Sequence, residues 1–195
     1  LAQPILIGRP RVINKRLREL GLRMQGGTDF EIVNPESDRR YREYAEAYHA
    51  LMKRRGVSLQ DARDVMRANT TVIAAMLVRR GAADAMLCGM VGEYHDHLVH
   101  VRHLLGARDP EQDMAALNVL VLRKGTFFVC DAYVHDQPSA QQIAHMTVLA
   151  AEQVQRFGLV PKAALLSHSN FGTSNAASAV RMRAALDLIR KAAPD

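Results

Sequence analysis

Ala164-Leu165-Leu166-Ser167-His168-Ser169-Asn170-Phe171-Gly172-Thr173-Ser174 joins a short apolar run to hydroxyl, amide and glycine residues, and a pattern rich in Ala and Arg follows to about Ala192. In an α/β protein such a stretch reads as a strand end opening into a ligand loop. Open parallel sheets bind ligands outside the carboxyl ends of their strands, and the next helix presents backbone N–H groups to anions. The same residues also suit an ordinary strand-to-helix connection capped by Ser or Thr. Local chemistry leaves both readings open.

Immediately upstream, Pro138 is expected to start a helix running to about Phe157, with Gly158 stopping it and a strand from Ala163 to Ser167 leading into the loop. Before that, Leu117–Arg123 and Thr126–Asp131 are apolar, β-branched or aromatic runs joined by Lys124-Gly125, a hairpin signal. Gly106-Ala107-Arg108-Asp109-Pro110 is the clearest break in the chain and separates expected subdomains at 1–106 and 107–195.

The first part reads as strand Pro4–Gly8, helix Pro10–Leu20, strand Phe30–Val33, and a helix from Asp38 to Arg55 with Tyr41, Tyr44 and Tyr48 on one face. That tyrosine stripe reads as core packing or a partner-helix contact. Ser58-Leu59-Gln60-Asp61 is a capping signature for a helix to about Ala68, another helix runs from Thr71 to Arg80, and Asp84–Gly89 reads as a buried strand. Strands alternating with helices argue for α/β architecture, three layers with mainly parallel sheets. A strand begins almost at residue 1 and no strand follows the last helix, so the fold is expected to be incomplete at both ends.

The 195 residues are 48% hydrophobic and 24% charged, ordinary for a globular protein, with no apolar run long enough to cross a membrane or form a signal-peptide core. A cytoplasmic location and no membrane partner are therefore expected. The net charge of +6 comes mainly from arginine, whose planar fork suits phosphate and carboxylate ligands. Nucleic acid is the rival partner, but aromatics are only 5%, tryptophan is absent and no recognition motif occurs. Cys88 and Cys130 each sit in an apolar run, so buried reduced thiols are expected. His95, His97, His100 and His103 place four of the eight histidines in nine residues. The i,i+3 spacing would bring three to one helical face, yet it lacks a metal signature, and no metal site is assigned.

Four stretches together resemble the phosphotransacetylase family, and more closely the phosphotransacetylase-like C-terminal region of bacterial NADP-dependent malic enzymes. They are Pro4–Pro10, Phe30–Pro35, Gly81–Gly89 and Arg156–Gly172, in the expected order across nearly the whole chain. The last is the most specific, because the family loop is usually Ser-x-Ser-x-x-Gly-Ser; here Thr173 takes the final position and Ser174 follows.

The resemblance implies two α/β subdomains with a cleft between them in a phosphotransacetylase-like, isocitrate-dehydrogenase-like fold, homo-oligomerisation, and binding of acetyl-CoA or acyl phosphate. It places that ligand beside Ser167, His168, Ser169, Asn170, Gly172, Thr173, Ser174 and Arg183. It also implies further chain on both sides, completing the second subdomain downstream and, in a malic enzyme, carrying the NADP and divalent-metal domains upstream; no cofactor is assigned to these 195 residues. Two family arginines fall on Met52 and Val99, with Lys53, Arg54, Arg55 and Arg102 nearby. Acetyl transfer must stabilise several anionic oxygens, so losing two cations damages catalysis more than CoA recognition. No residue is assigned a catalytic role. The expected function is a regulatory and oligomerisation domain, inhibited through acetyl-CoA, of an enzyme that oxidatively decarboxylates malate to pyruvate. An active phosphate acetyl- or butyryltransferase and a ligand-free assembly domain are the alternatives.

Overall fold

The computed structural model describes residues 2–106 and 114–194. The chain divides into two compact units, Leu1–Arg108 and Asp109–Asp195. The expected break at Ala107–Pro110 lies outside the described residues.

In the first unit, β1 (Ile5–Ile7) pairs in parallel with β2 (Glu31–Val33), with Leu6 opposite Ile32. Between them runs α1 (Pro10–Glu19), where the ring of Pro10 presets the first helical turn and Arg16 and Arg18 complement the C-terminal dipole. α1 buries no residue, as a helix carrying four basic side chains would suggest. In α2 (Tyr41–Met52) the apolar stripe is core: Tyr44, Ala45, Tyr48 and Met52 are buried. Tyr41 stands at the edge, donating its hydroxyl to the Arg63 carbonyl at 2.8 Å while the Arg67 guanidinium lies 4.7 Å over its ring.

A 3₁₀ turn (Lys53–Arg55) follows, and Gly56 closes it with a φ of 86° that L side chains rarely adopt. α3 (Leu59–Ala68) opens with the capping box read from sequence: Asp61 N donates to Ser58 Oγ and Ser58 N donates to Asp61 Oδ2. Asn69 then caps α4 (Thr70–Arg79), accepting from Val72 N at 3.1 Å. α4 is buried on every face from Thr71 to Leu77, and it forms the centre of a cluster with Val33, Tyr44, Met52, Met66 and Leu104. The last of these belongs to α5 (Tyr94–Leu104).

The second unit begins with an antiparallel hairpin, β3 (Leu117–Leu122) and β4 (Gly125–Cys130), as expected, but its turn is Arg123-Lys124, one residue before the expected Lys124-Gly125, because Gly125 pairs with Leu122. Next, α6 (Ala140–Arg156) starts at a second capping box, Ser139 with Gln142, so Pro138 precedes the cap instead of entering the first turn. α7 (Ala177–Ala192) packs along α6 around Ile143, Met146 and Ala185. Phe128 and Phe157 meet edge to face, with centroids 5.4 Å apart.

The α/β class holds, with two corrections to the expected strands. Neither Asp84–Gly89 nor Ala163–Ser167 forms a strand. A strand needs a neighbour to take its N–H and C=O groups, and the described sheets are only the pairs β1–β2 and β3–β4. Leu87 is accordingly 101% exposed and Leu166 80%. The expectation of two buried thiols is overturned as well: Cys88 lies in the segment that forms no strand, Cys130 ends β4 in a two-stranded sheet, and both residues are free and exposed. The Cys130 sulfur itself leans toward the Met146 carbonyl at 4.0 Å, and burial of that atom pushes the thiol pKa up. No helix among the described residues is long and apolar enough to cross a membrane.

Candidate ligand-binding loop

The loop before α7 is held by its own short side chains and by Arg183 of that helix. Ser169 N donates to Ser167 Oγ at 3.2 Å, Ser174 N donates to Ser169 Oγ at 2.9 Å, and Ala176 N donates to Ser174 Oγ at 3.1 Å. Each of these serine oxygens is thereby occupied as an acceptor of a backbone proton. A hydroxyl also carries one proton to donate, and that donor is left for a ligand with acceptor atoms. Thr173 differs. Its hydroxyl donates to the Asn170 carbonyl at 2.9 Å, so its proton is spent inside the loop.

A 3₁₀ turn (Asn170–Gly172) reverses the chain, and Gly172 has a φ of 74°. The Arg183 stem lies against that glycine: a Cβ built there would stand 3.6 Å from Arg183 Cδ. From α7 the guanidinium reaches back, donating through Nη1 to the Gly172 and Ser174 carbonyls at 2.6 and 2.7 Å and through Nη2 to Asn175 Oδ1 at 3.3 Å. Among the described residues no carboxylate pairs with it. Its charge therefore stands un-neutralised at the start of a helix, where the backbone dipole is also positive. Ser169, Gly172, Ser174 and Arg183 are half-buried, whereas Ser167, His168, Asn170 and Thr173 are exposed. The fold thus gathers the expected residues on one loop and one helix, with Arg183 gripping the loop backbone.

In the first unit, the position of one family arginine is Met52, 7% exposed inside the core, and the other is Val99, half-buried on α5. Arg55, the nearest displaced cation that makes a described contact there, donates to His103 Nε2 at 2.7 Å. Two more of the α5 histidines are also engaged. His97 Nδ1 lies 2.7 Å from Thr71 Oγ1 and its Nε2 donates to the Val91 carbonyl, while His100 Nε2 meets Asn69 Nδ2 at 3.0 Å. No group of three or more His, Cys, Asp or Glu side chains converges among the described residues as a metal ion would require.

One titratable pair escaped the sequence reading. At the end of β4, Asp131 is 2% exposed in its side chain and contacts His135 Nδ1 at 2.6 Å. The carboxylate also accepts from Ala116 N at 3.0 Å, His135 N at 3.1 Å and Val134 N at 3.4 Å. Burial pushes this carboxyl up, but the bonds from His135 and the backbone amides outweigh it and hold it below its ordinary 3.8. The i,i+4 spacing of Asp131 and His135 was visible in the sequence; their burial was not.

A family model described as Phosphate acetyl/butaryl transferase matches residues 1–195. The chain belongs to the phosphate acetyl/butaryl transferase family. A phosphotransacetylase from Streptococcus pyogenes has the same fold, with a TM-score of 0.83 at 26% identity over 99% of this chain and 58% of that one. The NADP-dependent malic enzyme of Escherichia coli (strain K12) is similar to this family member at 51% identity over 195 residues, all of this chain and 26% of that protein. The NAD-dependent malic enzyme of Rhizobium meliloti (strain 1021) is also 51% identical, over 194 residues and 25% of its length. A phosphate acetyltransferase from Nitratidesulfovibrio vulgaris is 27% identical over 195 residues. The chain thus spans about a quarter of the length of these malic enzymes. The resemblance to the phosphotransacetylase-like region of malic enzymes, read from four stretches of sequence, holds along the whole chain.

Proposed function

We propose that this chain is an acyl-CoA-responsive regulatory and assembly domain of an NADP-dependent malic enzyme. Acetyl-CoA would bind at the loop from Ser167 to Ser174 and inhibit oxidative decarboxylation of malate elsewhere in the parent protein. The observation that carries this reading is the hydrogen-bond bookkeeping of the loop. Ser167, Ser169 and Ser174 accept from backbone amides and keep their own protons for an acceptor such as a thioester carbonyl or a phosphate oxygen. The Arg183 charge adds an anion preference at the same place.

Supporting a sensor over a transferase, Met52 is buried in the core where the family has an arginine. Catalysis of acetyl transfer would need cations fixed around the developing charge. NADP and a divalent metal would serve the malate chemistry outside these residues, and the two malic enzymes at 51% identity carry different nucleotide names, consistent with that division. The parent would act in the cytoplasm as a homo-oligomer. Inhibition requires that acetyl-CoA prefer one assembly geometry over another.

Titration calorimetry of the full-length protein with acetyl-CoA tests this reading. Saturable binding is expected, and Ser169→Ala with Arg183→Ala should weaken it by about tenfold or more, the worth of one neutral and one charged hydrogen bond. Absence of binding, or binding indifferent to the double substitution, would overturn the site. A second reading, an active phosphate acetyltransferase, is favoured by the relatives of that name. It predicts formation of acetyl phosphate from acetyl-CoA and phosphate by the full-length protein. Binding without turnover excludes it. Sedimentation that is unchanged by acetyl-CoA would favour a ligand-free assembly role.

A further inference from the structure

The histidine segment has no part in the loop reading, yet its side chains make three of the described polar contacts between α5 and the rest of the first unit. Asn69 is pinned twice. Its Oδ1 accepts from Val72 N to cap α4, which turns Nδ2 toward His100 Nε2 at 3.0 Å. The amide is a donor there, so His100 must accept and must be neutral. One turn further on, Arg55 can only donate, so His103 Nε2 at 2.7 Å must also accept. His97 is different, because its Nε2 donates to the Val91 carbonyl and its Nδ1 faces a hydroxyl that can donate or accept. It holds in either protonation state.

We infer that α5 is latched to the first unit by two hydrogen bonds that exist only with neutral imidazoles, His100 to Asn69 and His103 to Arg55, and that protonation releases it. Protonated His100 would set an N–H against the Asn69 amide, which cannot rotate without uncapping α4. Protonated His103 would set an imidazolium against a guanidinium. The charged surroundings work in both directions. Arg55 and Arg102 face His103 and oppose its charging, together with His100. On α5 itself, Asp96 favours charging of His100 while His97 opposes it. From α4, Thr71 meets His97, and Arg79 donates to the Leu104 carbonyl at the end of α5. Burial is the largest influence at both latch residues and, with these charges, holds each below the ordinary 6.5.

The direction follows from linkage. A histidine held low in the folded state contributes stability that is complete above 6.5 and is lost as pH falls from there through the folded value. Between about pH 7.5 and about pH 5.5, each latch histidine can reduce α5 protection by up to about tenfold. The test is hydrogen exchange on the full-length protein, with rates corrected for the intrinsic pH dependence. Protection of α5 should fall across this range while α2 keeps its own. His100→Gln with His103→Gln retains acceptors that do not titrate and should flatten the response. Should that double variant fail to fold, His103→Gln alone must shrink the fall by about tenfold or less but measurably. Unchanged α5 protection in the natural sequence, or an equal fall in the Gln variants, overturns the latch.

Discussion

Replacing Asp131 should unfold the second unit at much lower denaturant than its exposed surroundings would suggest. The Asp131 side chain is 2% exposed and takes up four donors, three from backbone amides and one from His135. Asp131→Ala leaves those donors without their acceptor. Each unsatisfied buried donor costs about 1–3 kcal/mol, and breaking a buried pair by removing one partner costs about 3–5 kcal/mol. These penalties overlap because they count the same groups, so the expected loss is about 4 kcal/mol. Asp131→Asn keeps the shape and one acceptor oxygen but turns an NH₂ toward His135, and should cost roughly half as much. Urea unfolding of the full-length protein, read by hydrogen exchange in β3, β4 and α6, isolates this unit from the rest. Acid gives the matching signature. Because the folded carboxyl lies below its ordinary 3.8, its contribution is present above that pH and is lost as pH falls through the folded value. Asp131→Ala should remove that part of the acid limb. A loss under about 1 kcal/mol, or an acid limb unchanged by the substitution, would refute the assignment of Asp131 as the hub of the hairpin end.

Two further outcomes concern the first unit. Met52→Arg, which restores the charge usual in the family, should lower the melting temperature sharply instead of creating an anion site, because position 52 lies in the core at 7% exposure; thermal unfolding of the variant decides it. Ser58→Ala removes one half of the α3 capping box and should cost about 1 kcal/mol in chemical denaturation, with Ser58→Asp close to neutral.

What could be read in the sequence was local. The Ser58 capping box, the proline at the start of α1, the tyrosine stripe and the hairpin depend on residues within a few positions of one another, and each formed within a residue of where expected; the Ser139 box is equally local, but Pro138 masked it as the expected start of α6. The segments Asp84–Gly89 and Ala163–Ser167 have equally good strand composition, but a strand exists only when another lies beside it, and composition carries no record of the neighbour. The same limit applies to the polar groups. The loop residues were legible as a class because Ser, Asn and Gly cluster there, yet which hydroxyls donate and which accept depends on backbone positions no pattern specifies. The sequence shows the α5 histidines only as a spacing, because the residues they bond, Arg55, Asn69 and Thr71, come from elsewhere in the chain.

Asn69 ends α3, begins α4 and holds α5, and its amide does the last two with different atoms. Deamidation would therefore be a change of sign. The carboxylate so formed could still cap α4, but it would offer His100 an acceptor where the amide had offered a donor. The helix junction would keep its shape while its preference passed from the neutral imidazole to the charged one. A single chemical ageing event at this residue would convert an acid-released contact into an acid-strengthened one.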